Sequence, residues 1–118
     1  MSSRMLVLLV ADPETQASRC EQGLLLALNS ARTDVLEEVC VMLSGDGVKI
    51  LDGALDDDEK FAGLIDSLKD AGVEIVACTG NLGRHGLAES ARSAGVPPAG
   101  AQVYVPSRIR EGFEVVTF

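Results

Sequence analysis

Three short apolar runs constrain this 118-residue chain more than anything else in it. MLVLLV (Met5 to Val10), VCVML (Val39 to Leu43) and VEIVAC (Val73 to Cys78) each have the length of a strand. They are too uniformly apolar to leave one side in water, and strands buried on both faces belong to parallel sheets covered by helices. The intervening segments supply helical spacing. Glu14 to Ala31 brings Ala17, Cys20, Leu24, Ala27, Leu28 and Ala31 onto one stripe. After the acidic run Asp56 to Glu59, which suits the positive end of a helix dipole, Phe61, Leu64, Ile65 and Leu68 form another stripe, closed by Ala71-Gly72. Strands alternating with helices predict βαβ units with right-handed crossovers.

The remaining segments complete the pattern. Asp12-Pro13 ends the first run, and Ser44 to Gly47 (SGDG) turns the chain after the second. Val48, Ile50 and Leu51 suggest a short helix, and a longer one is expected between Leu82 and Ala94, ending at Gly95. VPPAG reads as loop, AQVYV (Ala101 to Val105) as a fourth strand, Ser107 to Glu111 as one or two helical turns, and FEVVTF (Phe113 to Phe118) as a fifth strand. The expected architecture is one α/β domain over residues 1–118, a three-layer α/β/α sandwich around a five-stranded parallel sheet. Arg4 and the apolar residues after it have the look of a signal peptide, but Asp12-Pro13-Glu14 cuts the run and no small-residue cleavage site follows. No stretch approaches the roughly 20 apolar residues of a membrane span.

Composition excludes several functions. Ten Lys and Arg against eighteen Asp and Glu give a net charge of -8, without the basic stripe that direct nucleic-acid binding requires. Aromatic residues are 3% of the chain and Trp is absent, which removes a base-stacking platform. Three cysteines in a core-forming chain read as free thiols of a reducing, cytoplasmic compartment. There is no CxxC pair and only one His, so no metal site is expected, and Asp56 to Glu59 lacks the spacing of a calcium loop.

Parallel sheets place ligands at the carboxyl ends of their strands. The turns at Asp12-Pro13, Ser44 to Gly47 and Cys78 to Asn81 are therefore expected to share one edge. Cys78 ends a strand there. Thiolate is the reactive form of cysteine, and a helix N-terminus or nearby cations favour it. The amides of Thr79, Gly80 and Asn81 and the side chains of Arg84 and His85 follow immediately. The residues also admit a plainer reading: Cys78 as a small hydrophobe closing a strand, Arg84 and His85 as solvated charges. Cys20 and Cys40 fall on apolar stripes and read as core. TGNLGRHG matches neither dinucleotide nor P-loop spacing. Gly45 and Gly47 most simply turn the chain, although the Gly47 amide has the placement to face an anion.

With these residues in view, the chain resembles the DsrE/DsrF-like group of small sulfur-relay proteins. The points of match are the opening apolar strand, LSGDGVKIL, GVEIVACTGNLGRHGL and the closing GFEVVTF. The resemblance implies an α/β/α domain with a five-stranded parallel sheet, assembled into trimers or hexamers. It implies a cysteine after the third strand, here Cys78, that accepts sulfane sulfur as a persulfide and passes it to a partner protein, as a sulfur carrier or sulfurtransferase. Such chemistry implies a sulfur donor protein, a sulfur acceptor protein and no cofactor, with no direct contact to nucleic acid or membrane. The alternative is a non-catalytic oligomeric module that binds a small anion or nucleotide at the strand-edge cleft, around Asp12, Gly45, Gly47, Arg84 and His85.

Overall fold

In a computed structural model that describes residues 3–118, five strands form one sheet in the order β4-β3-β2-β1-β5. The strands are β1 (Arg4–Leu9), β2 (Glu38–Leu43), β3 (Glu74–Cys78), β4 (Pro98–Ala99) and β5 (Phe113–Thr117), and every pairing is parallel. The helices are α1 (Ala17–Arg32), α2 (Lys60–Asp70), α3 (Thr79–His85), α4 (Ala88–Ser93) and α5 (Ala101–Arg110). Residues 1 and 2 of the expected domain lie outside the described residues.

Alternation along the strands divides the core in two. Val7 and Leu9 of β1, Val41 and Leu43 of β2, and Ile75 and Ala77 of β3 point to one face. There they meet α1 through Cys20, Leu24 and Ala27, α2 through Phe61, Ile65 and Leu68, α3 through Leu82, and α4 through Ala91. The opposite face presents Leu6, Cys40, Met42, Val76 and Phe113, and among the described residues α5 alone covers it. Leu8, Cys78 and Val115 on this second face stay only partly buried. The three layers are therefore unequal, with four helices on one side and a single ten-residue helix on the other.

Several segment boundaries differ from the sequence expectation. AQVYV is the first half of α5, and the fourth strand is the two-residue segment Pro98–Ala99. Ala101, Tyr104, Val105 and Arg108 turn inward at helical spacing, while Val103 is 71% exposed, so period 3.6 prevails over the alternation that suggested a strand. The Tyr104 N–H donates to Gly100 C=O at 2.8 Å and starts the helix. The helix expected from Leu82 to Ala94 is two helices. It begins at Thr79 and breaks at Gly86, whose φ of 65° is a left-handed cap; the Leu87 N–H then donates to Leu82 C=O at 2.9 Å. The acidic run forms a 3-10 turn, Asp57–Glu59, ahead of α2. Asp56, just before this turn, caps α2: its carboxylate accepts the Phe61 and Ala62 N–H groups at 2.8 and 2.9 Å. Val48, Ile50 and Leu51 do lie in a short helix, the 3-10 segment Gly45–Leu51.

Candidate functional site

The three turns meet at the carboxyl edge as expected. The Ser44 N–H donates to Leu9 C=O at 3.0 Å, which seats the turn after β2 on the end of β1. Gly47 lies so close to β1 that a Cβ built on it would stand 2.2 Å from the Leu9 carbonyl oxygen. Only glycine fits there, and its own N–H donates to Ser44 C=O at 2.9 Å. The Gly45 N–H donates to Asn81 Oδ1 at 2.9 Å, and Ser44 Oγ lies 3.5 Å from the same oxygen. Both glycine amides are thus taken up inside the protein.

Two ion pairs extend this polar layer. Lys49 Nζ reaches Asp12 at 3.0 Å and Glu14 at 2.5 Å. Asp12 also accepts the Glu14 N–H at 2.9 Å. That bond, then Lys49, holds the Asp12 carboxyl below the ordinary aspartate range, with a smaller contribution from the charge of His85. Glu14 and then Asp12 push the Lys49 ammonium above the usual lysine range. His85 Nε2 lies 3.3 Å from Asp46 Oδ1. Ser44 and Asp46 lie in the turn expected at this edge but without an assigned role, and Lys49 is a part of the edge that the sequence did not single out. The one available signal was a lone lysine in SGDGVKIL placed opposite the acids of DPE.

Cys78 ends β3, and α3 begins at the next residue. Its side chain packs on the α5 face of the sheet against the Leu6, Cys40, Met42, Val76 and Phe113 cluster, and it alone of the three thiols is not buried. Burial pushes the Cys20 and Cys40 thiols up to about 11. The Cys20 thiol is further held by a 3.3 Å bond to Ala11 C=O. Thr79 and Gly80 are exposed in the first turn of α3, where amides have no helical acceptor. Arg84 is exposed at the far end of the helix, beside His85. Seven helical residues extend about 10 Å. The structure therefore gathers Asp12, Gly45, Gly47, Asn81 and His85 into one layer, and it sets Arg84 and His85 a helix length from Cys78.

A cleft of about 310 Å³ lies between α4 and the chain entering β4, lined by Leu82, Ala88, Ala91, Arg92, Val96 and Pro98; Cys78 is not on its wall. Among the described residues no group of three His, Cys, Asp or Glu side chains has metal-binding geometry, and no helix is long and apolar enough to cross a membrane.

Fold and site together define a small parallel α/β protein with one partly exposed thiol at the carboxyl edge of its sheet. The sequence matches the DsrE/DsrF-like family model over residues 5–118, and the chain belongs to that family. Solved structures share the fold, among them the following two. A conserved protein of unknown function from Bacteroides thetaiotaomicron superposes with a TM-score of 0.80 at 17% identity, over 98% of this chain and 95% of that one. A protein of unknown function from Methanobacterium thermoautotrophicum gives a TM-score of 0.63 at 21% identity, over 99% and 100%. No curated protein matches the sequence significantly.

Proposed function

We propose that this protein is a sulfur-relay protein that carries sulfane sulfur as a persulfide on Cys78 and delivers it to a partner protein. The observation that carries the reading is the contrast among the three thiols: Cys20 and Cys40 are buried and resist ionisation, while Cys78 reaches solvent from the end of a rigid strand. The Cys78 thiolate attacks the outer sulfur of a donor persulfide. The donor S–S bond breaks, a new S–S bond forms on Cys78, and the donor cysteine leaves as thiolate. An acceptor thiolate then repeats the substitution and frees Cys78. Sulfur and electrons balance in both steps without an external oxidant, reductant or metal.

The partners on this reading are donor and acceptor proteins in a reducing cytoplasm, with no direct contact to nucleic acid or membrane. The chain assembles as a homo-oligomer, a trimer or hexamer. The thinly covered α5 face supports assembly, because Leu8 and Val115 remain half-buried there and Val103 and Ile109 are 71% and 55% exposed on α5. An anion-binding module has less support. The Gly45 and Gly47 amides are already bonded, and Lys49 is already paired with two carboxylates.

Intact-mass spectrometry after incubation with a small persulfide donor tests the reading. A gain of one sulfur atom that disappears in Cys78→Ser and persists in Cys20→Ser is the expected result. Wild-type protein that never gains sulfur overturns it.

A further inference from the structure

We infer that Asn81 and His85 are positioning residues for Cys78, two clamps that seat α3 on the 3-10 segment Gly45–Leu51. The inference rests on the reading of Cys78 as the sulfur carrier and identifies what sets the geometry of that thiol.

Cys78 is both the last residue of β3 and the cap of α3, so the direction in which α3 leaves the sheet fixes the thiol relative to the first helical turn. The helix has little stability of its own. Isolated helices need about 12–15 residues to persist in water, and α3 has seven. Two of these are Gly80 and Gly83, and only proline is a poorer helix former than glycine. A Cβ on either would meet nothing within 4 Å, so packing does not demand glycine at these positions. Leu82 is the single buried side chain of the helix.

The clamps supply the missing restraint. Asn81 Oδ1 accepts the Gly45 N–H at 2.9 Å in the first turn, and His85 faces Asp46 at 3.3 Å in the last. Positions 81 and 85 are one turn apart and share a face of the helix. Their partners, Gly45 and Asp46, are adjacent in sequence. The receiving segment is itself immobilised, because Ser44 bonds Leu9 and Gly47 abuts the Leu9 carbonyl. The sheet holds Cys78, and the clamps refer the first turn of α3 beside it to the ends of β1 and β2. The charged groups around the second clamp are Asp46, Asp12 and the Lys49–Glu14 pair, with Arg84 on the exposed side of the helix. His85 lies at the opposite end of α3 from Cys78 and acts through position.

The test is the pH–rate profile of Cys78 alkylation by iodoacetamide in the intact protein, resolved by peptide mass spectrometry, with a thermal melt of each variant. Asn81→Ala is expected to displace the Cys78 profile and to change the alkylation rate about threefold near neutrality. His85→Ala moves it the same way, and His85→Gln, which keeps an N–H for Asp46, restores the wild-type profile. Superimposable profiles in folded Asn81→Ala and His85→Ala overturn the inference. Should Asn81→Ala not fold, the comparison of His85→Ala with His85→Gln decides alone, with the same two outcomes. Persulfide formation is scored in parallel on the wild type. No adduct with displaced profiles removes the sulfur-carrier reading and leaves the clamps; an adduct with superimposable profiles does the reverse.

Discussion

Lys49 Nζ lies 3.0 Å from one oxygen of Asp12 and 3.1 Å from the other, tying the 3-10 segment after β2 to the chain leaving β1. Asp12 has a folded-state value below the ordinary 3.8, so its contribution is complete above 3.8 and is lost as pH falls through the lower value. Asp12→Asn should therefore lower the urea midpoint at pH 7, and the gap from wild type should narrow as pH falls below 3.8. Lys49 has a raised value, so its contribution is complete below the ordinary 10.5 and is lost only at more alkaline pH. Equilibrium unfolding across the pH range checks both limbs; a gap unchanged in acid removes the assignment.

The buried thiols make a separate prediction. Burial pushes the Cys20 and Cys40 thiols up to about 11 from an ordinary 9.0, which lowers their thiolate fraction about a hundredfold at pH 8. Timed alkylation at pH 8 should modify Cys78 first, by at least about tenfold, with the order lost in denaturant. Because the folded state retains these two protons while the unfolded chain releases them, stability should decline between pH 9.0 and about 11.

Glycines at two sites should respond in opposite ways. Gly47→Ala forces a methyl into the Leu9 carbonyl, and backbone cannot yield cheaply, so a loss of about 3 kcal/mol or failure to fold is expected. Gly63 lies in α2, and a methyl added there would meet nothing within 4 Å, so Gly63→Ala should stabilise by about 0.5–1 kcal/mol. Urea midpoints of the two variants provide the comparison.

Arg108 fastens the lone helix of the second face. Its guanidinium reaches Glu74 and Glu111 at 2.8 Å each and stands 4.8 and 5.6 Å from the Tyr104 and Phe113 ring centres. Arg108→Ala should cost about 1–2 kcal/mol, read by chemical unfolding, with the first loss of amide protection in α5. Uniform loss of protection across the sheet would show that α5 is not a separable element.

Much of this was legible in the residues. Buried β1, β2 and β3 announce themselves as apolar runs of strand length, and the stripes of α1 and α2 repeat at 3.6. The glycine at 47 and the cysteine at 78 are visible as types at strand ends. AQVYV was not legible, because five residues with apolar side chains at 101, 103 and 105 satisfy period 2. The inward turn of Ala101, Tyr104 and Val105 emerges only when Phe113, Met42 and Val76 are present to receive them. Arg84 and His85 were misplaced relative to Cys78 for a related reason: a turn-rich TGNLGRHG reads as loop, and Gly80 and Gly83 conceal the helix that spreads it out.

The sequence by itself determined the parallel α/β class, the three central strands, the apolar stripes of α1 and α2 and the family, because each follows from local periodicity or from the run of residue types along the chain. Tertiary structure decided which face of the sheet Cys78 occupies, which amides remain available near it, and that Asn81 and His85 grip the turn after β2. Those outcomes depend on register between strands and on contacts between residues 36 to 39 positions apart, where no pattern within a single segment carries the information.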